Sequence, residues 1–151
     1  MRPSDLLICC FVRPYAPGDT FKEWPLHVTI IPWINGDRSP EELAQALAEA
    51  LTGIKPFEVV VGPEAWRNRQ RRLVNLIVEP TPFTEVYEIA KKVVGQLGFR
   101  FLTKLHSPFK PHISAQKGER LHEGDTFICN AVYIIEQKGS YKEIVGKVRL
   151  S

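Results

Sequence analysis

The 151-residue chain lacks any apolar run long enough to cross a bilayer. Even residues 26–34 are interrupted by His27, Thr29 and Pro32. A shorter apolar run at 6–12 has no small-residue cleavage site behind it, and we interpret it as a first buried strand rather than a signal peptide. The sequence therefore predicts a protein with no membrane partner.

Cysteine is scarce, and the patterns that hold metals are missing. The three cysteines are an odd number, with Cys9 and Cys10 adjacent and Cys129 far along the chain. There is no CxxC, no Cys/His cluster with zinc-ligand spacing and no cluster of carboxylates. Small buried thiols of this kind are typical of a reducing compartment. We therefore expect a cytoplasmic protein that needs no metal and no cofactor.

The charge is nearly balanced, because the net charge of +3 is too small to identify a nucleic-acid binder by itself. Its distribution is more informative, since Arg67, Arg69, Arg71 and Arg72 lie within one short segment. Such a basic patch suits a phosphate-bearing partner. An ordinary solvated loop explains it equally well.

Two segments have the start and stop signals of amphipathic helices. In the first, Ser39 can cap, Pro40 suits the first helical position, Glu42 completes a capping box and Gly53 ends the helix. Its apolar stripe consists of Leu43, Leu47, Ala50 and Leu51. The second runs from Thr81-Pro82 to Gly98, and its apolar face consists of Val86, Ile89, Ala90, Val93 and Leu97.

Eight other segments are rich in β-branched and aromatic residues and are predicted as strands: 6–12, 26–31, 57–61, 73–79, 99–103, 111–116, 127–137 and 141–150. Residues 138–140 predict a tight turn between the last two. This order favours an α+β fold of two pseudo-symmetric lobes, each an antiparallel sheet backed by a helix, with a central cleft. We expect residues 1–151 to form one bilobal domain that acts as a monomer.

A repeated tripeptide contains the candidate catalytic residues. His27-Val28-Thr29 and His112-Ile113-Ser114 both read His, apolar, hydroxyl, and each lies in a strand-like run that follows a proline. They are 85 residues apart (112 − 27 = 85) and fall in different halves of the chain. A structural histidine within a sheet would explain one copy but does not explain two.

Strand geometry explains why the histidine and the hydroxyl residue of each motif are two residues apart. Residues two apart in a strand share a face at roughly 6.6 Å, so each motif points an imidazole and a hydroxyl the same way. If the two strands face one cleft, one histidine can accept a proton from water while the other protonates a leaving oxygen. The hydroxyls of Thr29 and Ser114 can then hold the non-bridging oxygens of a phosphate.

With these motifs, the chain resembles the two-histidine (2H) phosphoesterase superfamily, and within it the 2′-5′ RNA ligase-like branch, also described as RNA 2′,3′-cyclic phosphodiesterases. The resemblance implies catalytic roles for His27 and His112 and phosphate binding by Thr29 and Ser114. It implies metal-independent opening of 2′,3′-cyclic phosphates at RNA or nucleotide ends to 2′-phosphates. It also implies that His112 is the base and His27 the acid, although the two motifs are nearly interchangeable.

Two alternatives remain open from the sequence. One is a non-catalytic module that binds RNA ends, although binding alone needs no paired acid and base. The other is an enzyme of the same fold that acts on 2′-5′-linked or other small cyclic nucleotides.

Several further side chains are candidates for substrate contacts. Lys110 and Gln116 alternate onto the face of His112 and Ser114 and can reach phosphate or ribose, although solvent exposure also explains Lys110. Trp33 lies on the His27 face and can stack on a base or pack internally. Trp66 beside Arg67 is a pairing found where single-stranded RNA is bound. The remaining histidines, His106 and His122, have no hydroxyl two residues on and are expected to be non-catalytic.

Overall fold

Ten strands and two helices form within residues 4–151, the part of the chain that the computed structural model describes. In chain order they are β1 (Leu6–Phe11), β2 (Thr20–Phe21), β3 (His27–Asn35), α1 (Pro40–Ala50), β4 (Phe57–Arg67), β5 (Leu73–Val78), α2 (Thr81–Gln96), β6 (Arg100–Phe101), β7 (His112–Ser114), β8 (Thr126–Cys129), β9 (Ala131–Gln137) and β10 (Lys142–Arg149). Neither helix is long and apolar enough to span a membrane.

The strands make two antiparallel sheets. One has six strands in the order β2-β10-β9-β1-β3-β6, and the other has four in the order β7-β5-β4-β8. Helix α1 packs across β10 of the six-stranded sheet. Helix α2 backs the four-stranded sheet, where Phe83 meets Phe57 edge to face at 5.0 Å between ring centroids. The predicted α+β architecture of two helix-backed antiparallel sheets is confirmed.

Helix α1 begins where its sequence predicts. The Ser39 hydroxyl accepts a hydrogen bond from the Glu42 amide at 3.1 Å, and the Glu42 carboxylate accepts one from the Ser39 amide at 3.2 Å. Leu43 and Leu47 are fully buried. Leu51, the last residue of the predicted stripe, is also buried, but Ala50, the last residue of the helix, is exposed and does not belong to the stripe.

Helix α2 also begins at the predicted residue, but its buried face is shifted. Ile89 and Leu97 are only partly buried, and the apolar face includes Phe83, Tyr87 and Val94. The shift lets α2 contact both sheets, since it packs on β3 as well as on Phe57.

One hydrophobic core joins both helices to both sheets. It contains Val28 of β3, Leu47 of α1, Val86 of α2 and Ile113 of β7. The opposite face of the six-stranded sheet carries a smaller, aromatic-rich cluster that includes Phe11. Because strand side chains alternate, the neighbours of Val28 and Ile113 point away from the main core.

The uniform composition of segment 127–137 predicts one strand, but the structure has two strands there. The chain crosses from one sheet to the other at Asn130, so that β8 pairs with β4 and β9 pairs with β1 and β10. The Asn130 carbonyl accepts a hydrogen bond from the Leu150 amide at 2.9 Å, which fixes the crossing. Sheet membership depends on partners distant in sequence, and local alternation carries no signal for it.

The three cysteines are free and buried, as predicted. Burial raises the pKa of the Cys9 thiol well above its ordinary value. The thiols therefore act as small apolar side chains within the sheets.

Candidate active site

The two histidine motifs lie on β3 and β7, which are neighbours where the two sheets meet. Val28 and Ile113 are buried in the main core, and the residues on either side of each are half-buried. The imidazole and the hydroxyl of each motif therefore face the same way, as their spacing predicts. In the register of β5 and β7, Ser114 lies opposite Val74.

Each histidine is anchored by the backbone two residues before it. His27 Nδ1 lies 2.8 Å from the Pro25 carbonyl oxygen, and His112 Nδ1 lies 2.9 Å from that of Lys110. A carbonyl oxygen only accepts hydrogen bonds, so Nδ1 carries the hydrogen in both rings. This fixes the tautomer and leaves Nε2 as an acceptor in the neutral ring and a donor in the charged ring. Both histidines are thus prepared for proton transfer at Nε2.

A tryptophan accompanies each histidine. The Trp24 indole is stacked on His27 with ring centroids 4.3 Å apart and planes 27° apart. The Trp66 indole is tilted by 60° against His112 at 5.3 Å. Phe11 adds an edge contact to His27 at 6.3 Å, so that aromatic rings surround His27 more closely than His112.

This packing changes the acidity of the His27 imidazole. Burial lowers the pKa of His27 from 6.5 to about 4, the hydrogen bond to the Pro25 carbonyl opposes the shift, and charge on His112 lowers it further. His27 is therefore neutral near pH 7. The coupling also places the two imidazoles within electrostatic reach of each other.

Two cavities meet at His112. The Tyr87 cavity has a volume of about 330 Å³, and the residues that matter to its chemistry are Thr29, Tyr87, Leu105, Phe109, Lys110 and His112. The Trp66 cavity has a volume of about 320 Å³ and is lined by Trp66, His106, Ser107, Pro108, Lys110 and His112. The structure thus brings Thr29, Lys110 and Trp66 to His112, and Lys110 is also exposed.

Trp33 does not line either of these two cavities. It shares the His27 face, but it is only 9% exposed and packs in the aromatic-rich cluster, with its ring 6.3 Å from that of Trp24. Of its two predicted roles, the structure shows internal packing, because no ring face is free for a base.

The arginines of the β4–β5 loop have different environments. Arg67 is exposed, and its guanidinium donates to the Arg71 carbonyl at 2.9 Å across the loop. Arg72 is half-buried and donates to the Gln116 side-chain oxygen at 2.6 Å. The Gln116 amide in turn donates to the Ser114 carbonyl at 3.4 Å. Arg72 is thus linked to the second motif, whereas Arg67 stabilises its own loop.

Several features of the site cannot be predicted from the sequence. Trp24 stands three residues before His27, but nothing in the pattern predicts that its ring turns back onto the imidazole. Tyr87 lies on a helix and Phe109 in a loop, yet their rings are parallel at 4.2 Å between centroids. His106, which the sequence predicts to be non-catalytic, is exposed and borders both cavities.

The polar groups of the site are two imidazoles, two hydroxyls and the Lys110 ammonium. Such groups bind an anion and transfer protons. Within residues 4–151, no three His, Cys, Asp or Glu side chains lie together in a way that could hold a metal ion.

Comparison with known proteins agrees with this geometry. The family model of the 2′-5′ RNA ligase superfamily matches residues 12–135. No curated protein sequence matches the chain. Among solved structures, a phosphoesterase (14% identity, TM-score 0.62) and E. coli LigT complexed with 3′-AMP (14%, 0.60) each align over 99% of both chains, and TT0787 of Thermus thermophilus (19%, 0.60) aligns over 97% of both. These likenesses are in fold, while the family match covers most of the sequence. The chain belongs to the 2′-5′ RNA ligase superfamily of 2H phosphoesterases.

Proposed function

We propose that this protein is a metal-independent phosphodiesterase that opens 2′,3′-cyclic phosphates at the ends of RNA or nucleotides, with His27 and His112 as its acid–base pair. The observation that carries the proposal is the matched anchoring of the two rings. Each Nδ1 is bound to the carbonyl two residues back, so both Nε2 atoms are left for substrate. The His112 ring also lines both cavities, and Thr29, two residues after His27, lines one of them.

The lowered pKa of His27, about 4, supports His27 as the base. A neutral His27 can take a proton from water, whose oxygen then attacks phosphorus. The P–O3′ bond breaks, and His112, acting as the acid, gives an Nε2 proton to O3′, which leaves a 2′-phosphate. This assignment is the reverse of the one that the family resemblance implies, in which His112 is the base.

The other polar groups suit the phosphate. Thr29 and Ser114 each share a face with a histidine, and their hydroxyls are hydrogen-bond donors for non-bridging oxygens. Lys110 lines both cavities and supplies positive charge. E. coli LigT, which has the same fold, has been crystallised with 3′-AMP, NADP+ and phosphate, which supports a phosphorylated nucleotide as ligand.

Turnover of 2′,3′-cyclic nucleotides, followed by phosphorus NMR, tests the reaction. We expect a 2′-phosphate. A 3′-phosphate would overturn the assignment of the leaving oxygen. Turnover of only a 2′-5′-linked dinucleotide would favour the second kind of enzyme, and binding without turnover would favour a module for RNA ends.

A sulfur-substituted substrate tests the roles of the two histidines. If sulfur replaces O3′ in the cyclic phosphate, the leaving thiolate needs no proton. The loss caused by His112→Ala should then shrink by at least about tenfold relative to the oxygen substrate, while that caused by His27→Ala should stay the same. The opposite pattern would make His112 the base.

A further inference from the structure

We propose that the two cavities divide the substrate: the terminal nucleoside occupies the Tyr87 cavity, and the preceding nucleotide stacks on Trp66. This rests on the proposed function and deepens it, because it names an oligonucleotide end, rather than a free cyclic nucleotide, as the preferred substrate.

The Tyr87 cavity fits the nucleoside that carries the reacting phosphate. It is bordered by Thr29 and His112, one from each motif, so a phosphate held between them lies at the edge of this space, next to room for its own sugar. Its volume of about 330 Å³ is at the lower end of the range for small-ligand sites.

The walls of that cavity match a nucleobase. Leu105 and Phe109, both half-buried, supply apolar surface, and the buried Tyr87 ring is stacked on Phe109 with the two planes 1° apart. Thr103 and Lys104, both exposed, add polar groups to the lining. A base has an apolar face and a hydrogen-bonding edge, and both find partners here.

Trp66 fits the neighbouring nucleotide. Its ring is 43% exposed, whereas Trp24 is half-buried beneath its contacts with His27 and Trp33 is buried. An exposed indole beside a basic loop is a platform on which a base of any sequence can stack. Because Lys110 borders both cavities, the two bases can lie on either side of the ammonium that binds the reacting phosphate.

The experiment compares a cyclic mononucleotide with a dinucleotide that ends in the same cyclic phosphate. Thr103→Trp places a large ring in the Tyr87 cavity without touching the core, and Leu102→Trp is its control, since Leu102 is also exposed but does not line the cavity. Trp66→Ala removes the stacking platform, and Tyr141→Ala, at an exposed aromatic residue in the β9–β10 turn, is its control.

We expect Thr103→Trp to lower kcat/KM for both substrates by at least about tenfold and to leave their ratio unchanged. Trp66→Ala should lower the dinucleotide-to-mononucleotide ratio by roughly 5- to 150-fold, the range for losing one base stack. A Thr103→Trp effect on the dinucleotide alone, or no effect on either substrate, would overturn the division. An unchanged ratio in Trp66→Ala would overturn the role of Trp66.

A binding measurement separates this proposal from the reaction. A dinucleotide that ends in a 2′-phosphate should quench tryptophan fluorescence in the wild type, and the quenching should be lost in Trp66→Ala. Quenching that persists in the variant would contradict the stacking. If the wild type binds in this way but opens no cyclic phosphate, the proposed reaction fails while the division of the substrate holds.

Discussion

The indole of Trp24 covers the imidazole of His27, with ring centroids 4.3 Å apart and planes 27° apart. His112 has its own tryptophan, but Trp66 is tilted against it at 5.3 Å and remains 43% exposed. The two motifs match in pattern and in their Nδ1 hydrogen bonds, but aromatic rings pack more closely on His27 than on His112. This inequality is the basis for giving them different roles.

Trp24→Ala should therefore raise the pKa of His27 from about 4 towards 6.5, because water regains access to the ring. The wild-type kcat/KM should be bell-shaped in pH, and its acid limb, near pH 4, should move upward in the variant. Proton NMR titration of the His27 ring measures the same change directly. Trp66→Ala, beside the other histidine, is the matched control. An unmoved His27 titration in Trp24→Ala would show that other groups exclude the water.

The stability of the protein should depend on pH through the same group. The unfolded chain takes up a proton on His27 below about pH 6.5, whereas the folded protein keeps the ring neutral down to about pH 4. The contribution of His27 is thus complete above pH 6.5 and is lost as the pH falls from 6.5 to 4. The full difference is about 3 kcal/mol for pKa values of 6.5 and about 4.

Denaturant melts of the wild type and His27→Gln across this window test the expectation. The wild type should lose more stability between pH 6.5 and 4 than the variant, which has no imidazole to titrate. Parallel pH dependences would mean that the pKa of His27 is not lowered by folding.

Local signals in the sequence were enough for much of the fold. The capping box of Ser39 and Glu42 specifies the start of α1 through atoms within three residues. The same holds for the motifs, because alternation along a strand decides that Val28 turns inward and His27 outward. The turn at 138–140 also forms, with the Lys138 amide bound to the Tyr141 carbonyl at 2.8 Å.

What could not be predicted depends on contacts between distant segments. The crossing at Asn130 follows from which strands β8 and β9 meet, and these strands look alike in sequence. Tyr87 and Phe109 are stacked only because α2 and the loop before β7 are brought together by the fold. Trp33 illustrates the converse, since its position on the His27 face is predictable but its burial in the aromatic-rich cluster is not.

Activity should survive exhaustive treatment with EDTA. In the proposed mechanism both proton transfers are made by imidazoles, and the phosphate is held by hydroxyls and Lys110, so no step needs a metal ion. Turnover of a cyclic nucleotide before and after chelation is the measurement. Loss of activity on chelation, followed by recovery with one added divalent ion, would mean that the chemistry is different.

The arginines of the β4–β5 loop should have two different roles in substrate turnover. Arg69→Gln with Arg71→Gln, both at exposed positions, should raise KM for an oligonucleotide more than for a mononucleotide, and added salt should erode the difference. Arg72→Gln should instead lower kcat for both by a few fold, because Arg72 orients Gln116, which contacts Ser114. Arg72→Lys should restore part of that loss by keeping a donor. Equal effects at all three positions would mean that the loop acts only as a general positive surface.

Turnover of a 2′,3′-cyclic nucleotide by His27→Ala and His112→Ala tests the central claim most directly. Each substitution removes one of two proton-transfer groups, so each should lower kcat by about 10²- to 10⁴-fold while thermal melts show a folded protein. His122→Ala is the control, since His122 is exposed and lies outside both cavities, and its kcat should equal that of the wild type. Activity within a few fold of the wild type in either His27→Ala or His112→Ala would contradict the assignment of these two histidines as the acid–base pair.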